Sequence, residues 1–159
     1  MTILGIDPGT KRMGYGLIEI DDKKNIQAID FDCFETEYKQ EGEILEDIFK
    51  KTLSLLKKHR PDTLSLEKIF FFKNQKTAFQ ISQARGVIIL ACQMQKTKVF
   101  EPTPLEIKTC LTGYGRADKK AVATMVKKIL KLEKMPRLDD TTDALACAVT
   151  AFYLQKFKK

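Results

Sequence analysis

Four acidic residues are candidates for catalysis because of their sequence contexts: Asp7, Glu67, Asp140 and Asp143. Asp7 follows the apolar run at residues 2–6 and precedes Pro8 and Gly9, which predicts a buried strand ended by a rigid turn. Gly9 permits a backbone conformation that other residues avoid. We therefore expect the Asp7 carboxylate at the rim of a sheet. The alternative is that Asp7 only hydrogen-bonds to its own turn.

The other three acids interrupt apolar patterns or begin a helix. Glu67 lies within an apolar strand pattern, where an unpaired charge is costly. Asp140 and Asp143 are spaced to share one face at the start of a predicted helix, and the small residues at 144–148 would let that helix lie close to a sheet. Asp139 suits a capping role at the helix N-terminus, where a negative charge also stabilises the helix dipole.

Carboxylates that converge without histidine or thiolate partners suit a hard cation such as Mg²⁺ or Mn²⁺. Two such ions about 3.5–4 Å apart can activate a water and stabilise the leaving oxygen in phosphodiester cleavage. The chain has one histidine, and its four cysteines are far apart with no C-x-x-C pair. Zinc sites and Ser-His-Asp chemistry therefore lack their usual ligands. The acidic residues favour a metal-dependent nuclease.

The composition bounds the partners and the location. The chain has 159 residues and a formal net charge of +7, from 28 Lys and Arg against 21 Asp and Glu. This excess favours an anionic partner such as nucleic acid, although surplus lysine can equally be a solvated surface. The sequence contains no apolar stretch of membrane-span length and no signal-peptide pattern at its start. We expect a cytoplasmic protein without a membrane partner.

The hydrophobic periodicity predicts a single α/β domain over residues 1–159, with a basic tail at 156–159. Its expected strands are 2–6, 14–20, 26–34, 63–70 and 98–101. Its expected helices are 43–60, 75–95, 103–113, 118–132 and 139–156. Three strands in a meander followed by alternating helices and strands indicate a five-stranded mixed sheet with helices on both faces.

Five collinear motifs resemble the RuvC family of Holliday junction resolvases along nearly the whole chain. They are G-I-D-P-G-T, S-L-E-K-I-F, K-N-Q-K-T-A-F-Q-I-S-Q-A-R-G-V, G-Y-G-R-A-D-K-K and D-x-x-D-A-L-A. The resemblance implies an RNase H-like fold and a homodimer that cuts four-way DNA junctions with Mg²⁺ or Mn²⁺, two ions per site. It also implies that the protein works beside the RuvA–RuvB branch-migration complex. The implied metal ligands are the acidic tetrad, Asp7, Glu67, Asp140 and Asp143.

The same resemblance assigns roles to further residues. It places Lys108 and Lys119 near the scissile phosphate as catalytic residues. It implies that Phe70, or else Phe71, stacks on an unpaired base, whereas the alternative is that these rings pack into the core. Less specific matches assign DNA contacts to three basic residues: Lys76, Arg85 and Arg116. The helix at 75–95 is expected to form the dimer seam, chiefly through the apolar run at 87–90.

The sequence leaves three other functions open. One is an RNase H-like nuclease that acts on RNA or an RNA–DNA hybrid, and another is a junction-binding protein without catalysis, against which the intact tetrad argues. The third is a kinase of the actin-like or sugar-kinase fold, whose phosphate loop begins with a motif like that around Asp7. A kinase of that type needs two such domains and a second glycine-rich loop, which this chain lacks.

Overall fold

The computed structural model describes residues 1–69 and 75–157, with the backbone alone at residues 75, 76, 156 and 157. Its strands are β1 (Thr2–Asp7), β2 (Arg12–Ile20), β3 (Ile26–Glu35), β4 (Thr63–Leu66) and β5 (Lys98–Phe100). Its helices are α1 (Glu41–His59), α2 (Gln75–Gln95), α3 (Pro104–Thr112), α4 (Lys119–Ile129) and α5 (Asp139–Phe157). No helix in these described ranges is both long enough and apolar enough to cross a bilayer.

The strands form one mixed sheet in the order β3-β2-β1-β4-β5. The predicted meander is confirmed, because β1 pairs antiparallel with β2 and β2 pairs antiparallel with β3. β4 runs parallel to β1, and β5 runs parallel to β4. The carboxyl ends of β1, β4 and β5 therefore meet at one edge of the sheet.

Helices cover both faces of the sheet, as the sequence predicts. Leu4 and Ile6 of β1 pack in a core with residues of α1 and α2, whereas Ile3 packs in a second core with α3, α4 and α5. Side chains of a strand alternate between the two faces. Gly5 and Asp7 therefore point to the same face as Ile3, the face covered by α5.

Three glycines, which we call the glycine seam, let α5 lie directly on the sheet: Gly5, Gly14 and Gly16. A Cβ atom on Gly5 would be 1.9 Å from the carbonyl oxygen of Ala144, and one on Gly14 would be 2.1 Å from the carbonyl oxygen of Asp140. A Cβ atom on Gly16 would be 2.5 Å from a methyl carbon of Leu145. These distances are shorter than van der Waals contact, so any side chain here would displace α5.

Some boundaries differ from those expected. β4 ends at Leu66, so Glu67 follows the strand instead of lying inside it. α4 is shorter than 118–132 at both ends. Asp118 is its N-cap and accepts a hydrogen bond from the Ala121 amide at 2.7 Å, and the helix ends at Ile129, two residues before Lys131 with its positive φ. Gly9 does not adopt a positive φ. Glycine is needed there because a Cβ atom would lie 2.2 Å from the carbonyl oxygen of Arg12.

Candidate active site

Asp7 is the last residue of β1, and its carboxylate is largely buried beneath α5. Its cross-strand partner is Gly14, the glycine that touches the backbone of Asp140. The pKa of the Asp7 carboxyl is raised from 3.8 to about 7, chiefly by burial and also by the charges of three nearby carboxylates: Asp143, Glu67 and Asp140. The Lys119 ammonium opposes this shift. Asp7 therefore lies in a concentration of negative charge.

Glu67 reaches the same place from β4. Gly5 of β1 pairs with Ser65 of β4, so two residues further along each strand Asp7 and Glu67 become neighbours on the α5 face. Burial is the main cause that raises the pKa of the Glu67 carboxyl, and the charge of Asp143 adds to it. Ser65 holds this arrangement by donating a hydrogen bond from its hydroxyl to the Cys147 carbonyl of α5 at 2.8 Å.

The first turns of α5 carry the other two members of the tetrad. Asp143 accepts a hydrogen bond from Lys119 Nζ at 2.8 Å. Arg12 Nε lies 3.2 Å from Asp140 Oδ2, but its geometry is not that of a hydrogen bond, and this buried oxygen has no hydrogen-bond partner among the described residues. Asp139 is exposed, and its charge is not among the main charges on Asp7, although it does raise the pKa of the Lys119 ammonium.

A cavity of about 220 Å³ joins these groups at the carboxyl edge of the sheet. Its charged lining consists of Asp7, Glu67, Asp143, Lys108 and Lys119. Asp140 lies to the side of the cavity yet is close enough to raise the pKa of Asp7. Within residues 1–69 and 75–157, no three acidic, histidine or cysteine side chains are arranged as a closed metal-binding group. Two carboxylates are instead turned toward cations, Asp143 toward Lys119 and Asp140 toward Arg12.

Local sequence explains how the two lysines reach the cavity. Thr103 and Glu106 form the expected capping box at the start of α3, with Thr103 Oγ1 accepting from the Glu106 amide at 3.1 Å. This fixes the first turn of α3, and Lys108 follows one turn later. Lys119 is the first residue of α4, directly after its N-cap.

The chain matches the family model described as crossover junction endodeoxyribonuclease RuvC over residues 3–151. A crossover junction endodeoxyribonuclease RuvC from Caldicellulosiruptor saccharolyticus is 42% identical over 150 residues, which cover 94% of this chain and 90% of the relative. The chain belongs to the RuvC family. The resemblance predicted from the five motifs is thus confirmed.

Solved structures of the RuvC family also support the fold. The Thermus thermophilus RuvC structure aligns with a TM-score of 0.90 and 30% identity, covering 99% of this chain and 97% of that one. T. thermophilus RuvC in complex with a Holliday junction substrate aligns with a TM-score of 0.89 and 26% identity over the same shares of the two chains. The predicted RNase H-like fold is confirmed.

The residues expected to contact DNA differ in how far they are exposed to solvent. Arg116 is exposed in the loop between α3 and α4, open to solvent. Arg85 differs from the expectation of a groove-lining residue: it is only 8% exposed, and its guanidinium is bonded to protein oxygens. Phe70 and Phe71 lie outside the described residues, as does the side chain of Lys76.

Two residues at the site were not anticipated from the sequence. Arg12 approaches Asp140 from the start of β2, and Glu101 pairs with Arg85 from the end of β5. Arg12 follows Asp7 by only a few residues, so a cation in the turn after G-I-D-P-G-T was an available signal. For Glu101 there was no such signal, because its partner is distant in sequence.

Proposed function

We infer that this protein is a structure-selective endonuclease that resolves Holliday junctions by paired nicks during DNA recombination and repair. The observation that supports this most directly is the crowding of carboxylates around Asp7 in a cavity that two lysines also line. Such crowding opposes folding unless a cation offsets it. A protein selected only to bind junctions would have no need of it.

We propose that the tetrad, Asp7, Glu67, Asp140 and Asp143, holds Mg²⁺ or Mn²⁺. The donor set fits, because it consists of carboxylate oxygens without imidazole or thiolate, and Asp140 Oδ2 is buried without a hydrogen-bond partner in the described chain. When bound, two such ions supply an activated water and stabilise the leaving oxygen of the phosphodiester. Asp7, central to the cluster, is the ligand best placed to serve both ions.

The two lysines provide positive charge at the cavity. Lys119 is 76% exposed despite its bond to Asp143, so its ammonium can exchange that carboxylate for a phosphate oxygen. Lys108 is half-buried and lines the cavity from α3. We propose that both hold the scissile phosphate above the tetrad, because a positioned ammonium stabilises charge that develops on phosphate oxygens.

Outside the cavity, DNA binding would depend on the chain's positive charge. The net charge of +7 favours contact with phosphates. We propose that Arg116 and Lys76 contribute such contacts, and that Phe70, or else Phe71, stacks on an unpaired base of the four-way junction. T. thermophilus RuvC, with a similar fold, has been solved with a Holliday junction substrate.

A homodimer would provide the two sites that resolution of a junction requires. Residues 1–159 form one nuclease domain with one tetrad in this proposal, so symmetry must supply the second. The outer side of α2 exposes Phe79, Ile89, Leu90 and Met94. Four large apolar side chains on one helix favour a protein interface. We propose this surface as the dimer seam, and the RuvA–RuvB branch-migration complex as a further partner in the cytoplasm.

The substitution Asp7→Asn tests the catalytic proposal. It removes a central charge of the tetrad and preserves the size of the side chain, so junction cleavage should fall by about 1,000-fold, the equivalent of about 4 kcal/mol. Junction affinity should change little, because phosphate contacts elsewhere supply most of it. The measurements are single-turnover cleavage of a synthetic four-way junction and its dissociation constant.

Asp139→Asn is the matched control, since it makes the same change at an exposed acid of α5 that does not line the cavity. It should cleave like the wild type. If Asp7→Asn cleaved the junction at a rate comparable to that of the wild type, the tetrad would be excluded as the metal site. Preferential cutting of an RNA–DNA hybrid by the wild type would instead reassign the substrate.

A further inference from the structure

Arg85 is a buried cation in the middle of α2, a helix that packs against α1 and contacts β5. One arm of its guanidinium, Nη1, donates to the main-chain carbonyl of Glu67. The other arm, Nη2, donates to the carboxylate of Glu101. One side chain thus bridges the residues that follow two parallel strands, β4 and β5.

The regular pairing of β4 with β5 ends before these two segments begin. The last paired residues of the β4–β5 ladder are Ser65 and Phe100. Beyond them, the Lys68 amide donates a hydrogen bond to the Pro102 carbonyl at 2.8 Å. In the described chain, the Lys68–Pro102 bond and the Arg85 bridge connect the two segments.

The geometry matters because Glu67 is a member of the tetrad yet lies beyond the regular strand. Its backbone lies beyond the last paired residue of β4, where it is hydrogen-bonded to the Cys147 thiol of α5 and to the Arg85 guanidinium. Its carboxylate must still reach the cavity beside Asp7. A planar guanidinium can bond to a carbonyl and a carboxylate at once in fixed directions, which a lysine ammonium on a flexible stem does poorly. Displacing a reacting group by about 1 Å can cost about 100-fold in rate.

We propose that Arg85 is a positioning residue that acts through Glu67. It clamps the backbone at Glu67 to Glu101, so the carboxylate of Glu67 is presented to the cavity in one orientation, and neither Arg85 nor Glu101 touches DNA. This role rests on the proposed nuclease function and adds two residues to the machinery. It replaces the expectation, implied by the family resemblance, that Arg85 contacts DNA.

The test compares Arg85→Lys and Glu101→Gln with the wild type on a synthetic four-way junction over a range of salt concentrations. Single-turnover cleavage of the bound complex should slow by about 10- to 100-fold in both variants. The dissociation constant and its salt dependence should stay unchanged, because no phosphate contact is lost. Arg60→Lys, the same change at an exposed arginine that ends α1, is the matched control and should alter neither quantity.

A second readout does not depend on activity. Amide hydrogen exchange at Lys68, followed by NMR in the metal-free protein, should accelerate by about tenfold or more in Arg85→Lys and Glu101→Gln but not in Arg60→Lys. If Arg85→Lys does not fold, Glu101→Gln decides the question, because it retains the buried arginine and alters only its half-exposed partner.

Two results would overturn the positioning role. In the first, the dissociation constant of Arg85→Lys depends less steeply on salt, by the equivalent of about one phosphate contact, while cleavage in the bound complex keeps the wild-type rate. That result would make Arg85 a DNA contact. The other is a change in only one of the two readouts, rate or Lys68 exchange. Failure of the wild type to cut the junction would instead refute the nuclease function, and the exchange measurement would still report on the clamp.

Discussion

At the residue scale, the raised pKa of Asp7 predicts how stability depends on pH. A carboxyl whose pKa is about 7 in the folded protein and 3.8 when unfolded binds its proton more tightly in the folded state. Stability from this group is therefore lost as pH rises toward 7. Between pH 5.5 and 7 the free energy of unfolding of the metal-free wild type should fall by about 2 kcal/mol relative to Asp7→Asn.

Urea unfolding in the presence of a chelator measures this difference, and Asp139→Asn should follow the wild type. Adding Mg²⁺ at pH 8 should stabilise the wild type and leave Asp7→Asn almost unaffected, because only the wild type retains the full donor set. Parallel pH profiles for wild type and Asp7→Asn would contradict the burial of this charge. The sequence was sufficient to place Asp7 at the end of β1, because a turn marks its position. It could not predict the Arg85 clamp, whose partners come from distant strand ends.

At the element scale, the glycine seam predicts that Gly5→Ala harms both stability and activity. The added methyl group would collide with the Ala144 carbonyl, so α5 must move away from β1 and carry Asp143 away from Asp7. We expect a loss of about 1–3 kcal/mol or more in unfolding free energy. Cleavage should fall by about tenfold or more. Thermal unfolding and single-turnover cleavage are the measurements.

Gly42→Ala is the control for this substitution, because a Cβ atom there meets nothing within 4 Å and alanine favours helix α1. Equal effects of the two substitutions would show that the contact with Ala144 is unimportant.

The start of α3 was predictable because its capping box is local in sequence. The end of β4 at Leu66 was not, since the apolar pattern continues to Phe70 and pairing with β1 and β5 decides where the ladder stops.

At the scale of the whole molecule, the exposed side of α2 predicts that Leu90→Glu yields a folded monomer. Leu90 is 52% exposed, so the charge should cost the isolated chain little, whereas a symmetric seam would bury one such glutamate from each protomer among apolar side chains. The variant should cut single strands without making paired nicks. Sedimentation velocity gives the mass, and a plasmid-borne junction distinguishes single from paired nicks.

Ile29→Glu is the matched control, because Ile29 is 45% exposed on β3, the edge strand at the opposite end of the sheet from β5, which α2 contacts. It should remain dimeric. A wild type that is monomeric on the junction and still makes paired nicks would exclude the dimer. The fold was predictable from the order of strands and helices. The apolar run at 87–90 alone could not show which of its residues are exposed: Ile88 is in the core and Leu90 faces solvent.

The glycine seam also restricts which mutations can compensate for one another. A side chain at Gly5 or Gly14 meets a main-chain carbonyl, which every residue type would present in the same place. A side chain at Gly16 meets Leu145, and a smaller residue there could make room for it. Genetic reversion can therefore rescue Gly16 substitutions from a second site in α5, whereas at Gly5 and Gly14 it must restore the glycine itself.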